Sequence, residues 1–287
     1  MADVLPEAAD ELDAVAPGTA LATTVVIPVW GEGYVSYLEG ALDSILAQSR
    51  RVRILLVDNA AGLAPVEREG VEVVRCPRRL SLGFARNAGL EAVSTPYVLF
   101  WDADDVMLPG TLERLEATLD RNAGAVAAVA GIVEAPGVPH PWPRPVSARL
   151  ARRPQLLALA QAITHMFPTT GAALMRTAVV REAGGFGDFG GAEDWVVGAA
   201  IAFQGRVAFD PHPGRLYRQH DASLRGMGIG RTVRVRAAAA VRQRLRTGPG
   251  VPRVVRAAAA WFAPFQLLVI FVVGPVARAV AWRRAAR

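Results

Sequence analysis

Apolar positions in the first half of the chain fall into short runs that stop at proline or aspartate, each followed by residues with helical spacing. Thr23 to Pro28 (T-T-V-V-I-P) is a β-rich run closed by proline, and Val35 to Gln48 then places Leu38, Leu42, Ile45 and Leu46 on one helical face. Arg53 to Val57 (R-I-L-L-V) ends at Asp58 in the same manner. Val71 to Val74 gives a further short strand, with a helix expected through Phe84 to Val93. Tyr97 to Trp101 is the next strand and Leu108 to Leu119 the next helix. Strands alternating with helices imply a parallel sheet with right-handed crossovers, hence an α/β/α sandwich.

The pattern changes at Ala135. P-G-V-P-H-P-W-P-R-P over 136–145 reads either as an extended loop over a cleft or as a plain connector. A second structured stretch runs from Gln155 to about Tyr217, with a G-G-F turn at Gly184 to Phe186 and G-G-A-E-D-W at Gly190 to Trp195 opening a helix. Near the C-terminus, Ala257 to Ala277 contains no charge over 21 residues, long enough to span a bilayer. Pro264, Gln266, Gly274 and Pro275 interrupt it, and the part between the prolines rises only about 16 Å as a helix. Arg278, Arg283, Arg284 and Arg287 on the far side blunt any positive-inside signal. Three readings stay open: a spanning helix, an interfacial or re-entrant anchor, and a hydrophobic helix packed on the preceding domain or on a partner.

At 287 residues and 52% apolar content the chain buries a real core, as one large domain or two small ones. The net charge of +6 is uneven: residues 214 to 287 hold 15 arginines and the single acid Asp221, a balance of +14, which leaves −8 for the rest. Arginines 231, 234, 236, 242, 244 and 246 suit a basic helix on anionic lipid. Nucleic acid is disfavoured as a partner, because no aromatic interleaving or binding motif accompanies them. There is no lysine, which excludes lysine-based catalysis. Cys76 is alone, so no internal disulfide forms and a reducing compartment is expected. His140, His165, His212 and His220 lack the spacing of a zinc site, so an oxygen-ligated metal is the better expectation. Residues 1 to 22 carry five acids and no base, the opposite of a secretory signal, and read as a solvated, disordered leader.

The densest chemistry lies at Val98 to Asp105, V-L-F-W-D-A-D-D, where a buried-strand run ends in Asp102, Asp104 and Asp105. Open parallel sheets bind ligands at that edge. Neighbouring carboxylates repel, so the cluster is costly unless a cation or donor groups neutralise it, and a hard divalent metal carrying phosphate oxygens would do so. The plainer alternative is an acidic loop capping the helix near Pro109. Glu193 and Asp194 likewise suit a first helical turn through the dipole alone.

Taken in order, T-V-V-I-P-V-W-G-E, I-L-L-V-D, L-G-F-A-R-N-A-G-L, V-L-F-W-D-A-D-D, G-G-F, A-E-D-W and Y-R-Q-H resemble a family 2 glycosyltransferase with the GT-A fold, over roughly Thr23 to Leu224. The resemblance implies a GT-A domain at 23–224 and a basic, hydrophobic helical tail at 225–287 that associates with a membrane. It implies that Pro28, Val29, Trp30, Glu32 and Asp58 line the pocket of a nucleoside-diphosphate sugar, and that Arg86 reaches its diphosphate or base. Asp104 and Asp105 would hold ribose and a divalent metal, Mg or Mn, with Asp102 touching the metal or supporting its loop. Asp194 corresponds to the general base of an inverting transfer to a hydroxyl acceptor, and Glu193 would orient the acceptor or the loop. Arg218 and His220 resemble an R-x-H element that approaches the diphosphate.

The chain departs from the family pattern at Gly31 and at Asn59, Ala60 and Ala61, where Asn59 is left as a candidate partner for a pyrimidine N3. A glycan or lipid-linked acceptor at the cytoplasmic face of the cell membrane, in cell-envelope synthesis, would agree with the tail. A nucleotidyltransferase is the enzymatic rival, but Val29 to Tyr34 has no basic residue for a triphosphate. A catalytically degenerate sugar-nucleotide or glycan-binding protein of the same fold is the rival outside enzymes.

Overall fold

The computed structural model describes residues 21–134, 138–139, 145–218, 230–248 and 250–275. The acidic leader, most of the proline-rich run, His220 and the arginines from Arg278 onward lie outside the described residues, as does the side chain of Glu32.

In chain order the elements are β1 (Thr23–Val29), α1 (Glu32–Leu46), β2 (Arg53–Asp58), β3 (Val71–Arg75), α2 (Leu82–Glu91), β4 (Tyr97–Phe100), β5 (Val106–Met107), α3 (Thr111–Arg121) and β6 (Ala125–Glu134). They continue with β7 (Val138–Pro139), α4 (Pro145–Leu150), α5 (Pro154–Ile163), β8 (Ala173–Arg176), α6 (Thr177–Glu182), α7 (Glu193–Ala202), β9 (Arg206–Tyr217), α8 (Arg231–Thr247), α9 (Arg253–Ala258) and α10 (Phe262–Leu268).

The strands form one sheet in the order β3-β2-β1-β4-β8-β6-β9-β5, with β7 beside β6. From β3 to β4 every pairing is parallel, as the alternation of strands and helices requires. Beyond β4 the expectation of a parallel sheet fails: β8 runs antiparallel to both β4 and β6, and β5 antiparallel to β9. The regular strand-helix alternation ends at β4: β5 follows it with no helix between, and the path from β4 to β8 takes in three strands and three helices among the described residues instead of a single crossover.

All of β1 and β4 is buried, the mark of strands covered on both faces. One side is packed by α1 and α3 through Leu38, Leu42, Ile45, Leu112 and Leu115, and the other by α2, α5 and α7 through Ala85, Leu90, Leu157 and Val197. The seam over β1 is tight. A Cβ at Gly89 of α2 would lie 2.3 Å from Val26 Cγ1 and 2.9 Å from Val57 Cγ2, so only glycine lets this helix sit so low on the sheet.

The C-terminal segment shares this architecture. Ala237, Ala238, Val241 and Leu245 make an apolar stripe on α8 that packs on α7 through Val196 and Ala199, and Ala259 and Ile270 join the same cluster. The basic helix thus turns one face to the domain while Arg231, Arg236 and Arg246 remain exposed on it.

Candidate active site

The first loop of the cleft grows from the ends of β1 and β2. Val29 pairs with Asp58 in register, so the two strands stop together. Asp58 then shapes the turn after β2: Oδ1 accepts from Ala61 N at 2.8 Å, and Oδ2 from Leu63 N at 3.2 Å and Arg75 Nη1 at 2.8 Å. Asn59 is only 1% exposed, and its amide is engaged at both ends, donating to Leu80 O at 2.9 Å and accepting from Leu80 N at 2.7 Å. This corrects the expectation that Asn59 meets a pyrimidine, because a buried amide clamped to a neighbouring loop offers no face to a base. Trp30 stacks on Tyr34 with centroids 5.4 Å apart, and the Arg79 guanidinium lies 5.1 Å over the Trp30 ring. Arg79 escaped the sequence reading, where it is one of several arginines in a loop.

The acid loop follows β4. Trp101 N still bonds Val26 O at 2.9 Å, and one residue later the chain leaves the sheet at Asp102. Two buried guanidinium groups grip the cluster. Arg86, from α2, donates to Asp102 Oδ1 at 3.0 Å and to Glu193 Oε1 at 2.6 Å. Arg215, from β9, donates to Asp102 Oδ2 at 2.7 Å and also to Asp105 Oδ2. The other oxygen of Asp105 accepts from the backbone N–H of Arg218 at 2.9 Å.

The local fold explains this convergence. Met107 of β5 pairs with Arg215 of β9, which brings that arginine beside the loop between β4 and β5. Room for it comes from Gly171, at φ +70°, where a Cβ would stand 1.6 Å from Arg215 Nη1. Asn87, next to Arg86, both donates to Phe186 O and accepts from Phe186 N, at 2.8 Å each. It fastens the G-G-F turn to α2 and supports the Phe186 ring 5.6 Å from the Arg86 guanidinium.

The electrostatics follow from burial. Burial opposes ionisation of Asp102, yet Arg215 and Arg86 outweigh it and hold the carboxyl below the usual range. Burial, with the like charges of Asp104 and Asp102 behind it, pushes Asp105 up to about 7 against the pull of Arg215. Burial lowers both arginines, but their carboxylate partners leave Arg215 and Arg86 raised overall. Tyr34 is pushed up to about 12 by burial and then by Asp104 and Asp102, which brings its hydroxyl within the field of the cluster.

On the other side of Arg86, Glu193 and Asp194 open α7. Glu193 is buried and holds the loop before it, with Oε2 accepting from Gly191 N at 2.9 Å. Asp194 is more open: its side chain is 23% exposed, Oδ1 accepts from Trp195 N at 2.7 Å, and Oδ2 lies 3.4 Å from His165 Nε2. Its charge acts on Arg86 alongside those of Asp102 and Glu193. The guanidinium of Arg218 rests over the Tyr37 ring at 5.7 Å, so within this arrangement its backbone N–H is the group that meets the acid loop.

A divalent metal fits this donor set in part. Three neighbouring carboxylates are hard oxygen ligands, but Asp102 and Asp105 already accept from protein donors on both oxygens, and Asp105 is fully buried. Among the described residues no group of three or more histidine, cysteine or acidic side chains is arranged to hold a metal. A groove of about 620 Å³ along β6 and β9, bordered by Asn122, Arg152 and Asp210, contains none of these acids.

Residues 24–184 match the model of the family described as Glycosyl transferase family 2, more than half of the chain. The chain is 38% identical over 109 residues to uncharacterized glycosyltransferases of Mycobacterium bovis and Mycobacterium tuberculosis, a match covering 37% of this chain and 47% of each relative. It therefore spans about half the length of these curated relatives. Among solved structures, S. aureus TarS in complex with UDP-GlcNAc superposes with a TM-score of 0.61 at 14% identity, covering 85% of this chain and 72% of that one. A second structure of S. aureus TarS, of its residues 1-349, gives 0.61 at 15% identity, over 87% and 72%. At these identities the likeness is one of fold, and that fold is GT-A.

Proposed function

The chain belongs to glycosyl transferase family 2, and from that premise we propose that it moves a sugar from a nucleoside-diphosphate donor to a hydroxyl acceptor with inversion at the anomeric carbon. The observation that carries this reading is Arg86, which bonds both the acid loop at Asp102 and the opening of α7 at Glu193, the residue before Asp194. The crystallised complexes of TarS with UDP-GlcNAc and with UDP support a nucleotide donor on the same fold.

In this reading the donor's nucleotide lies over the ends of β1 and β2, beside Trp30 and the loop held by Asp58; Pro28 and Val29, expected to line this pocket, are buried within β1 and only support it. Asp194 is the base. Its partly exposed carboxylate takes the acceptor proton as the new bond to the anomeric carbon forms, while the bond to the diphosphate oxygen breaks on the opposite face. A carboxylate suffices because the hydroxyl loses its proton only as the bond develops, so position governs its efficiency. Glu193, tied to Arg86 and Gly191, positions the loop instead of meeting the acceptor. Asp104 is the carboxylate we assign to a divalent metal, with Asp105 behind it holding the loop. Such an ion, when bound, supplies Lewis-acid neutralisation of the departing diphosphate.

Thermal-shift measurements with UDP, dTDP, GDP and CDP, each with and without Mn, test the donor site. Stabilisation grows with the ratio of ligand concentration to dissociation constant. One nucleotide is expected to raise the melting temperature, more so with Mn. A folded protein unmoved by all four overturns the donor assignment.

A further inference from the structure

The uninterrupted helical stretch 253–273, which contains α9 and α10, is long and apolar enough to cross a membrane, yet it is held against the domain along one side. Its inward face is built to stay there. Gln266, in the middle of the apolar run, is fully buried; its Nε2 donates to Ala162 O at 2.7 Å, and its Oε1 accepts from Arg242 of α8. Ala259 and Ile270 lie on the same side and share the core with Ala237, Val241 and Leu245.

The outward face is the reverse. Val254, Trp261, Phe265 and Leu268 recur at spacings of seven, four and three, which puts them in one stripe away from Gln266, and Val272 follows in the π-helical turn Val269–Val273. All five are exposed, Trp261 at 76% and Phe265 at 54%. Arginine rims the stripe: Arg253 and Arg256 stand at its start, and Arg231 of α8 lies 5.9 Å over the ring of exposed Phe271.

We propose that this helix lies in the plane of an anionic lipid bilayer, its Val254 to Val272 stripe sunk among the acyl chains and its Gln266 face roofed by the domain. Crossing the bilayer would strip the helix from α5 and α8, strand the Ala162 carbonyl and place Gln266 in hydrocarbon without its partners. Lying flat keeps every one of those bonds. An amphipathic helix with tryptophan on its apolar side and arginine at its margin is the composition that binds such an interface. The exposed arginines of α8, Arg231, Arg236 and Arg246, together with Arg253 favour anionic headgroups over neutral ones. This inference uses no residue of the acid cluster, so it stands or falls apart from the transfer reaction.

One consequence does rest on that reaction. Gln161 O accepts from the indole N–H of Trp195 at 2.6 Å, and the next carbonyl, Ala162 O, holds Gln266. The residue beside Asp194 and the lipid-facing helix therefore share one anchor point on α5, which suits an acceptor hydroxyl carried by a lipid.

Co-sedimentation of the full chain with vesicles tests the placement, comparing phosphatidylcholine alone with an equal mixture of phosphatidylcholine and phosphatidylglycerol. The protein is expected to bind the anionic vesicles, to bind neutral ones far less, and to be released by alkaline carbonate. Trp261→Glu with Phe265→Glu is expected to weaken binding by at least about tenfold without lowering the melting temperature, since both side chains are exposed. Retention through alkaline carbonate would overturn the flat placement in favour of spanning. Failure to bind anionic vesicles, with a dimer in solution that the double variant dissolves, would overturn it in favour of a second copy of this chain on the stripe.

Discussion

Asp102 and Asp105 have all four carboxylate oxygens bound, three by guanidinium nitrogens and one by a backbone N–H, whereas Asp194 has one oxygen on the amide next to it and the other 3.4 Å from His165. The first pair is held in place by the terminal nitrogens of Arg86 and Arg215, whose buried Nε atoms have no partner, and burial leaves Asp105 raised to about 7. The second is open to a proton from outside. The proposed transfer needs both kinds of carboxylate, and the chain makes them by partners more than by burial: Asp102 at 26% and Asp194 at 23% side-chain exposure are equally open, but only Asp102 has a guanidinium on each oxygen.

Removing the lock gives the largest expected effect on stability. Arg215→Ala leaves two carboxylates without their buried partner, and breaking such a pair typically costs about 3–5 kcal/mol. Denaturant unfolding of the variant should show a loss of that order. A change below about 1 kcal/mol would mean that Asp102 and Asp105 are solvated like surface acids, and the contrast with Asp194 would collapse.

A smaller effect is expected at Asp210, which accepts from Arg114 Nε at 2.7 Å and from His212, away from the acid loop. Burial opposes its ionisation, but Arg114 and His212 hold its carboxyl below the usual range. A carboxyl depressed in the folded state stabilises fully above its unfolded pKa of about 3.9, and that contribution fades as pH falls through the folded value. Asp210→Asn should therefore cost about 1–3 kcal/mol near neutral pH, and its urea midpoint should converge on that of the parent in acid. A gap that widened on acidification would reverse the sign.

Much of the fold was legible because its first half writes its strands as short β-rich runs; β1, β2, β3 and β4 fall where the pattern put them, although β1 runs through Pro28 to Val29 instead of stopping there. The second half hides its strands. The run A-V-A-A-V-A-G-I-V-E of β6 has as much alanine as a helix, and β9 carries Asp210, two prolines and a glycine that read as a loop. Register shifts against β6, between Val129 and Ile132, let β9 stay extended through them.

The same distinction governs the site. The acids Asp102 to Asp105 and Asp194 stand out as clusters in the chain, and Arg86 and Glu193, 107 residues apart, do meet. Arg215 did not stand out, because its partner Asp105 is 110 residues away and nothing local separates it from nearby Arg218. The one sequence clue was Gly171, and the reason for that glycine becomes visible only when the arginine lies across it.

The central claim is that Asp194 is the base of a sugar transfer. Its direct test is Asp194→Asn, with turnover of the nucleotide-sugar selected by the nucleotide panel measured beside the dissociation constant of the matching nucleoside diphosphate. Turnover should fall about 10²–10⁴-fold while nucleotide affinity stays at the parental value. Unchanged turnover, or a loss of turnover that merely tracks a loss of nucleotide affinity, would contradict the assignment.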